Sequence, residues 1–301
     1  MIMKKELEIT TQVGCPLMCT FCPQDKLAKA YKDKEKIMSL STFRIILSKL
    51  PTDVDIVYAG YNEPFTNKNT IEFIKLSVEK GHNVKLYTTL YRVSMETCLQ
   101  LIDLIKKYPK QLDHVWVHLP DNAGNMPGWK YTKEYETVLL HFLKKVPKAN
   151  AMTLDANNQI HSSLKNKVET FSWYLHTRAN NVNTENIIGQ EYHQPPKYEF
   201  FTECTRNKDY ASNVVLPNGQ VTLCCMDYSL KHVLGNLLHQ SYDEILESTE
   251  MQKVKRLSNT IGFTEDLLCK SCNDAHCKTP WNSKEVWNIV AKTNPDILGI
   301  D

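Results

Sequence analysis

From its first strand-like run to about residue 190, the chain alternates strand-like and helix-like patterns, and no other feature restricts its fold as strongly. Residues 7–13 read as a strand. Phe43, Ile46, Leu47 and Leu50 then recur at i, i+3, i+4, i+7 between a capping Ser41 and a stop at Pro51, which predicts a helix. Residues 54–58 form the next strand, and a helix carrying Ile71, Ile74 and Val78 ends at Gly81. Strands are expected at 84–88, 114–119 and 151–154. The helices between them carry Leu101, Ile102 and Ile105, then Tyr135, Val138, Leu139 and Phe142. Asn186-Ile187-Ile188, stopped by Gly189, is a candidate sixth strand. Repeated strand–helix units imply a parallel sheet with right-handed crossovers, wound open or curled into a barrel. In either form the working groups sit at the carboxyl ends of the strands.

The pattern breaks at Pro195-Pro196, a linker between an expected domain over 1–195 and a second over 196–285, with a tail over 286–301. In the second domain, residues 213–216 and 220–223 flank Pro217-Asn218-Gly219. An Asn-Gly between apolar runs is a hairpin signal. A short helix follows at about 242–257. The formal net charge of +2 gives no basic footprint for nucleic acid. No apolar run has the length of a membrane span, and residues 1–5 lack the apolar stretch of a signal peptide, so a cytoplasmic location is expected.

In that compartment ten cysteines point to metal or catalysis rather than disulfides. Cys15, Cys19 and Cys22 follow the first strand at C-x3-C-x2-C spacing. Three thiolates so close can wrap three irons of a cubane and leave the fourth without a protein ligand. A small molecule bearing an amine and a carboxylate can chelate that iron. The alternative is a zinc knuckle, but structural zinc normally closes with four ligands, and no nearby His or Cys completes this one.

The segment Gly14-Cys15-Pro16-Leu17-Met18-Cys19-Thr20-Phe21-Cys22-Pro23 resembles the motif of the radical S-adenosylmethionine (SAM) superfamily, including the aromatic Phe21 before the third cysteine. The resemblance covers about residues 7–190 and implies an α/β fold, a partial (β/α)6 TIM-like barrel open on one side. It also implies that the open iron binds the methionine amine and carboxylate of SAM. One electron from that [4Fe–4S] cluster then yields a 5′-deoxyadenosyl radical that abstracts hydrogen from substrate. By the same resemblance Phe21 lies near the adenine. Ala59-Gly60-Tyr61-Asn62-Glu63-Pro64 is similar to the family's Gly-Gly-Glu-Pro turn, whose backbone and acid receive the methionine ammonium. Here Tyr61-Asn62 replaces the second glycine. Thr88-Thr89 stands where the family often has Thr-Asn-Gly. His118 falls where a Ser is common, placed to contact the methionine carboxylate.

A second ordered set, Cys204, Cys224, Cys269 and Cys272, can close either a complete cubane or a tetrahedral zinc site, and spacing alone does not separate these. Residues 216–227, then Leu234-Gly235-Asn236-Leu237 and the helix after Ser241, resemble the SPASM/twitch extension of radical enzymes. That extension binds auxiliary [4Fe–4S] clusters. Six local cysteines fit the shorter twitch form, with one cluster on those four. Cys225 and Cys277 are then spare, as alternate ligands, inert buried thiols or hydrogen-atom donors, and Cys98 shares a helix face with Leu101, Ile102 and Ile105 as core packing.

A fully ligated auxiliary cluster suits accepting an electron. The resemblance therefore implies oxidation of a small-molecule substrate of carbohydrate or aminocyclitol type, with flavodoxin or ferredoxin as external one-electron reductant. The close variant is a sugar epimerase, in which Cys225 or Cys277 returns a hydrogen atom. Peptide maturation is a further reading, weakened by the lack of sequence ahead of the first strand for a peptide-recognition domain. A zinc-binding interaction module is the non-catalytic alternative. Arg178, Arg206 and Asp155 are minor candidates for substrate contact, since charged residues at such places are usually solvated or paired.

Overall fold

The computed structural model describes residues 5–153, 160–172, 178–182, 203–204, 207–260, 264–272 and 274–276. The candidate strand at 186–188, the Pro195-Pro196 linker, the tail, Asp155, Arg206 and Cys277 lie outside the described residues.

Strand and helix alternate as the sequence pattern requires. The strands are β1 (Glu6–Ile9), β2 (Asp55–Tyr58), β3 (Val84–Thr88), β4 (His114–His118), β5 (Asn150–Thr153) and β6 (Phe171–Ser172). The helices are α1 (Gln24–Ala30), α2 (Leu40–Ser48), α3 (Thr70–Glu79), α4 (Met95–Lys107) and α5 (Lys133–Lys145). Helix starts are fixed by side chains that accept orphan backbone N–H groups: Ser94 takes Thr97 N–H and Thr132 takes Tyr135 N–H. Lys106-Lys107 and Lys144-Lys145 in the last turns of α4 and α5 complement the helix dipole. For α2 the cap is Ser39, which accepts from Thr42 N–H, and not the expected Ser41, whose hydroxyl bonds that of Ser39 at 2.8 Å. The sixth described strand is β6, earlier in the chain than the expected 186–188. The single helix expected at about 242–257 is two, α6 (Tyr242–Leu246) behind a Ser241–Glu244 capping box and α7 (Thr249–Thr260).

Strands β1 to β6 pair in sequence order, all parallel. The hairpin at Asn218-Gly219 forms as expected between β8 (Ser212–Val215) and β9 (Gln220–Thr222), and β10 (Val233–Asn236) adds to it. These three strands join the main sheet, because β8 pairs in parallel with β1. The result is one open nine-stranded sheet in the order β10-β9-β8-β1-β2-β3-β4-β5-β6. A two-stranded ribbon, β7 (Glu203–Cys204) with β11 (Ala275–His276), stands apart from it.

The period-2 alternation of the strands sorts their side chains onto two faces. Leu7 and Ile9 on β1, Val84 and Leu86 on β3, and Val115 and Val117 on β4 are buried in the core. The alternate residues Glu6, Glu8, Lys85, Tyr87, Trp116 and His118 line a cavity on the other face. Cys98 is fully buried on α4, as its helical phase predicts, and burial pushes its thiol up to about 11. Among the described residues no helix is long and apolar enough to cross a membrane.

Candidate active site

The loop after β1 carries Cys15, Cys19 and Cys22, and all three line one cavity of about 430 Å³ that runs along one face of β1 to β4 and reaches their carboxyl ends. The loop is held from outside by the segment after β4. Gly128 N–H donates to Leu17 O at 2.9 Å, Thr20 N–H to Asn125 O at 2.9 Å, and the Thr20 hydroxyl to Asn125 Oδ1 at 2.9 Å. Asn125 is itself fixed by the Asp121 carboxylate. Burial first, then the neighbouring thiols, pushes Cys15 up to about 11 and Cys19 well above the usual thiol range. Three thiols on the wall of one cavity form a donor set that fits an iron–sulfur core.

The turn after β2 closes the cavity from the other side. Gly60 has φ +55°, and a Cβ there would lie 2.4 Å from Thr10 Oγ1 and 2.9 Å from Thr10 N, so glycine is required by both strain and space. Glu63 is buried at the centre. Its carboxylate accepts from Thr88 Oγ1 at 2.6 Å, Thr89 N–H at 2.6 Å, Thr89 Oγ1 at 2.8 Å and Phe65 N–H at 3.3 Å. These four donors fill the acceptor sites of a carboxylate, so Glu63 braces the end of β2 against the end of β3. Burial shifts its carboxyl upward against those bonds. Asn62 Oδ1 and Gln24 Oε1 are the opposite case, buried acceptors without a hydrogen-bond partner, on residues that line the same cavity. A ligand amine would satisfy them.

Phe21 and His118 meet with ring centroids 5.6 Å apart. Burial, and then the Arg178 charge, lowers His118 to about 4, so it is neutral across the physiological range. Deeper in, Tyr87 and Trp116 stack at 6.2 Å and 13° interplanar, with the Tyr87 hydroxyl 3.0 Å from His114 Nε2. Gln24, Tyr87, Trp116 and Tyr228 were not identified from the sequence. Period-2 phasing on β3 and β4 carries a signal for the middle two, whereas nothing local marks Tyr228.

The second cysteine set is gathered by the far end of the chain. Cys224 follows β9, Cys269 sits in a short turn at Leu268–Ser271, and Cys272 closes that turn through Cys272 N–H to Cys269 O at 3.1 Å. The ribbon sets Cys204 opposite Ala275, whose N–H donates to Cys272 O at 3.2 Å. Burial pushes Cys224 and Cys269 well above the usual thiol range and Cys272 up to about 12. Cys225, then Cys269 and Cys272, raise Cys224 further, and Cys204 raises both Cys269 and Cys272, so the four are electrostatic neighbours together with Cys225. His232 pins this lobe: its Nε2 accepts Leu268 N–H at 3.2 Å, which leaves the proton on Nδ1 for Glu250 at 2.7 Å. Cys225 is buried and lines the main cavity. Among the described residues no three His, Cys, Asp or Glu side chains close around a single ion. A cubane differs from such a site in placing each thiolate on a separate iron.

A strand-end cysteine triplet, a braced turn after β2 and an open parallel sheet define a radical SAM protein, and the Radical SAM superfamily model matches residues 9–125. Over that span the chain is similar to the superfamily. The SPASM model, an iron–sulfur cluster-binding domain, matches residues 204–273, so it is a radical SAM enzyme with an auxiliary-cluster lobe. Its cofactors are SAM and two iron–sulfur clusters, and the zinc-module reading is set aside. Comparison with curated proteins finds no match. Among solved structures, BtrN in complex with AdoMet and 2-DOIA is similar at 18% identity and TM-score 0.60, covering 92% of this chain and 96% of that one. Native anSMEcpe with bound AdoMet is similar at 14% identity and TM-score 0.52, covering 90% and 88%. At these identities the likeness shows the fold.

Proposed function

We propose that this enzyme dehydrogenates a polar, ring-bearing small molecule of carbohydrate or aminocyclitol type. The observation that carries the reading is a single cavity of about 430 Å³ lined by Cys15, Cys19 and Cys22 on one side, the Tyr87–Trp116 stack below, and Cys225 from the second lobe. Stacked aromatic faces suit the C–H edges of a saturated ring. BtrN, whose structure holds 2-DOIA, supports the substrate class by analogy of fold.

In this reading Cys15, Cys19 and Cys22 hold the radical-generating cluster, and Cys204, Cys224, Cys269 and Cys272 hold the auxiliary one. Asn62 Oδ1 and Gln24 Oε1 accept the methionine ammonium, next to the backbone of Gly60. Phe21 faces the adenine, and neutral His118 supplies a hydrogen bond without charge. Glu63, held by Thr88, keeps the turn in place. The bound groups supply hydrogen abstraction by a 5′-deoxyadenosyl radical and a one-electron sink. With those groups bound, a substrate carbinol would lose a hydrogen atom to the radical, a proton to solvent and an electron to the auxiliary cluster. A reductant of the flavodoxin or ferredoxin type supplies the initiating electron.

The test is anaerobic turnover of the reconstituted enzyme with SAM, a strong reductant and a panel of sugars, aminocyclitols and peptides, run in D2O. Dehydrogenation gives one 5′-deoxyadenosine per oxidised product and no solvent deuterium at carbon. Cys225 in the cavity wall favours epimerisation as the second reading. A product of unchanged redox state carrying solvent deuterium would replace the first reading by it. Turnover of peptides alone would sink both.

A further inference from the structure

The Cys22 sulfur receives contacts from two separated parts of the chain. Gln24 Nε2 donates to it at 3.3 Å, and the Tyr228 hydroxyl lies 3.1 Å from it. Tyr228 belongs to the loop after β9, four residues beyond Cys224, so a side chain of the auxiliary lobe touches a sulfur of the first cysteine loop. A thiolate carries no proton, so with Cys22 as a ligand the phenol must be the donor. Tyr228 is in turn packed on Tyr61, ring centroids 4.6 Å apart and tilted by 56°. The Tyr61 hydroxyl lies 2.9 Å from Cys224 O, 3.2 Å from Asp227 O and 3.0 Å from Thr222 Oγ1. Both rings are buried, at 1% and 2% exposure, and so cannot exchange these partners for water. Tyr61 is the residue at which the turn after β2 departs from the family's glycine pattern, and this contact gives the departure a purpose.

Hydrogen bonds to ligand sulfur stabilise the more negative, reduced state of an iron–sulfur cluster and raise its potential. We propose that Tyr228 tunes the radical-generating cluster from the auxiliary lobe: its phenol donates to the Cys22 sulfur and raises that cluster's reduction potential, while Tyr61 ties the donor to the backbone that carries Cys224. The energy needed to start the reaction therefore depends on how the far lobe is seated. This rests on Cys22 being a ligand of the first cluster.

The experiment is an EPR-monitored redox titration of the reconstituted holoenzyme, with the first cluster recognised by the response of its signal to added SAM. Tyr228→Phe keeps the ring and removes only the hydroxyl. It is expected to retain wild-type iron and sulfide, to lower the midpoint potential of the SAM-responsive signal and to leave the other signal unmoved. Tyr61→Phe frees the loop but leaves the donor, and a smaller shift in the same direction is expected. An unchanged SAM-responsive potential in Tyr228→Phe overturns the inference, as does an equal shift of both signals. No shift in Tyr61→Phe overturns the coupling through Tyr61. Cys22→Ala separates the layers: if it keeps a SAM-responsive cluster, the ligand assignment fails. If it loses that cluster while Tyr228→Phe titrates like wild type, only the tuning fails.

Discussion

Gly128→Ala tests whether the segment after β4 sets the position of the first cysteine loop. An added Cβ would lie 1.9 Å from Pro16 O and 2.8 Å from the Leu17 carbonyl carbon. Both are backbone atoms, so no side chain can rotate away. Restoring ordinary contact near 3.4 Å from 1.9 Å requires about 1.5 Å of separation between the two segments. The Gly128 N–H bond to Leu17 O, at 2.9 Å, does not survive such a displacement. Overpacking of this kind costs about 1–3 kcal/mol and the lost bond about 1 kcal/mol. At roughly 2 °C per kcal/mol for a chain of this size, the apoprotein should melt about 4–8 °C lower. The loop bearing Cys15 moves while the auxiliary lobe is untouched. After anaerobic reconstitution the variant should therefore hold about four irons per chain instead of about eight. A variant with wild-type melting and a full complement of iron would refute the claim that Gly128 holds the loop in place.

Glu63→Gln places an amide opposite donors at Thr88 and Thr89, and a loss of about 3 kcal/mol is expected in urea unfolding of the apoprotein; a neutral result would mean the brace is not needed. His118 has a folded pKa near 4 against about 6.5 unfolded, so the unfolded chain binds the extra proton between these values. Stability is therefore lost as pH falls from about 6.5 to 4, by no more than about 3 kcal/mol. His118→Leu should flatten that limb, and an unaltered acid limb would contradict the assignment. Cys269→Ala should lose the auxiliary cluster and keep the SAM-responsive one, measured as iron content and EPR; loss of both would show that the two sites do not load independently.

The parts of the site that lie on one local segment were legible in the sequence. The Cys15–Cys22 loop and the turn at Gly60 follow predicted strands, and a strand end is where a parallel sheet exposes its loops. Cys98 was placed in the core by helical phase alone. What escaped was set by chain crossings. The pairing of β8 with β1 joins residues 212–215 to residues 6–9, and no local pattern encodes a partner so distant. The same distance hid Tyr228, which lies 206 residues from Cys22. Gln24 was missed because its two contacts, Cys22 Sγ and Tyr61 O at 2.5 Å, need the turn and the loop to be assembled first. Glu63 shows how a motif can be read correctly and still leave a role open: its position in the turn was evident, but the four donors around it became visible only in three dimensions.

The pairing of β8 with β1 also bears on biosynthesis. β1 is an interior strand, and one of its edges is completed by residues made about two hundred positions later. While the ribosome works through the barrel, that edge and the nearby thiols have no cover. Contacts so far apart in sequence slow folding, and an uncovered edge invites pairing with another nascent chain. Removing the C-terminal lobe to obtain a minimal barrel would leave the same edge open permanently. Truncated forms are thus expected to aggregate.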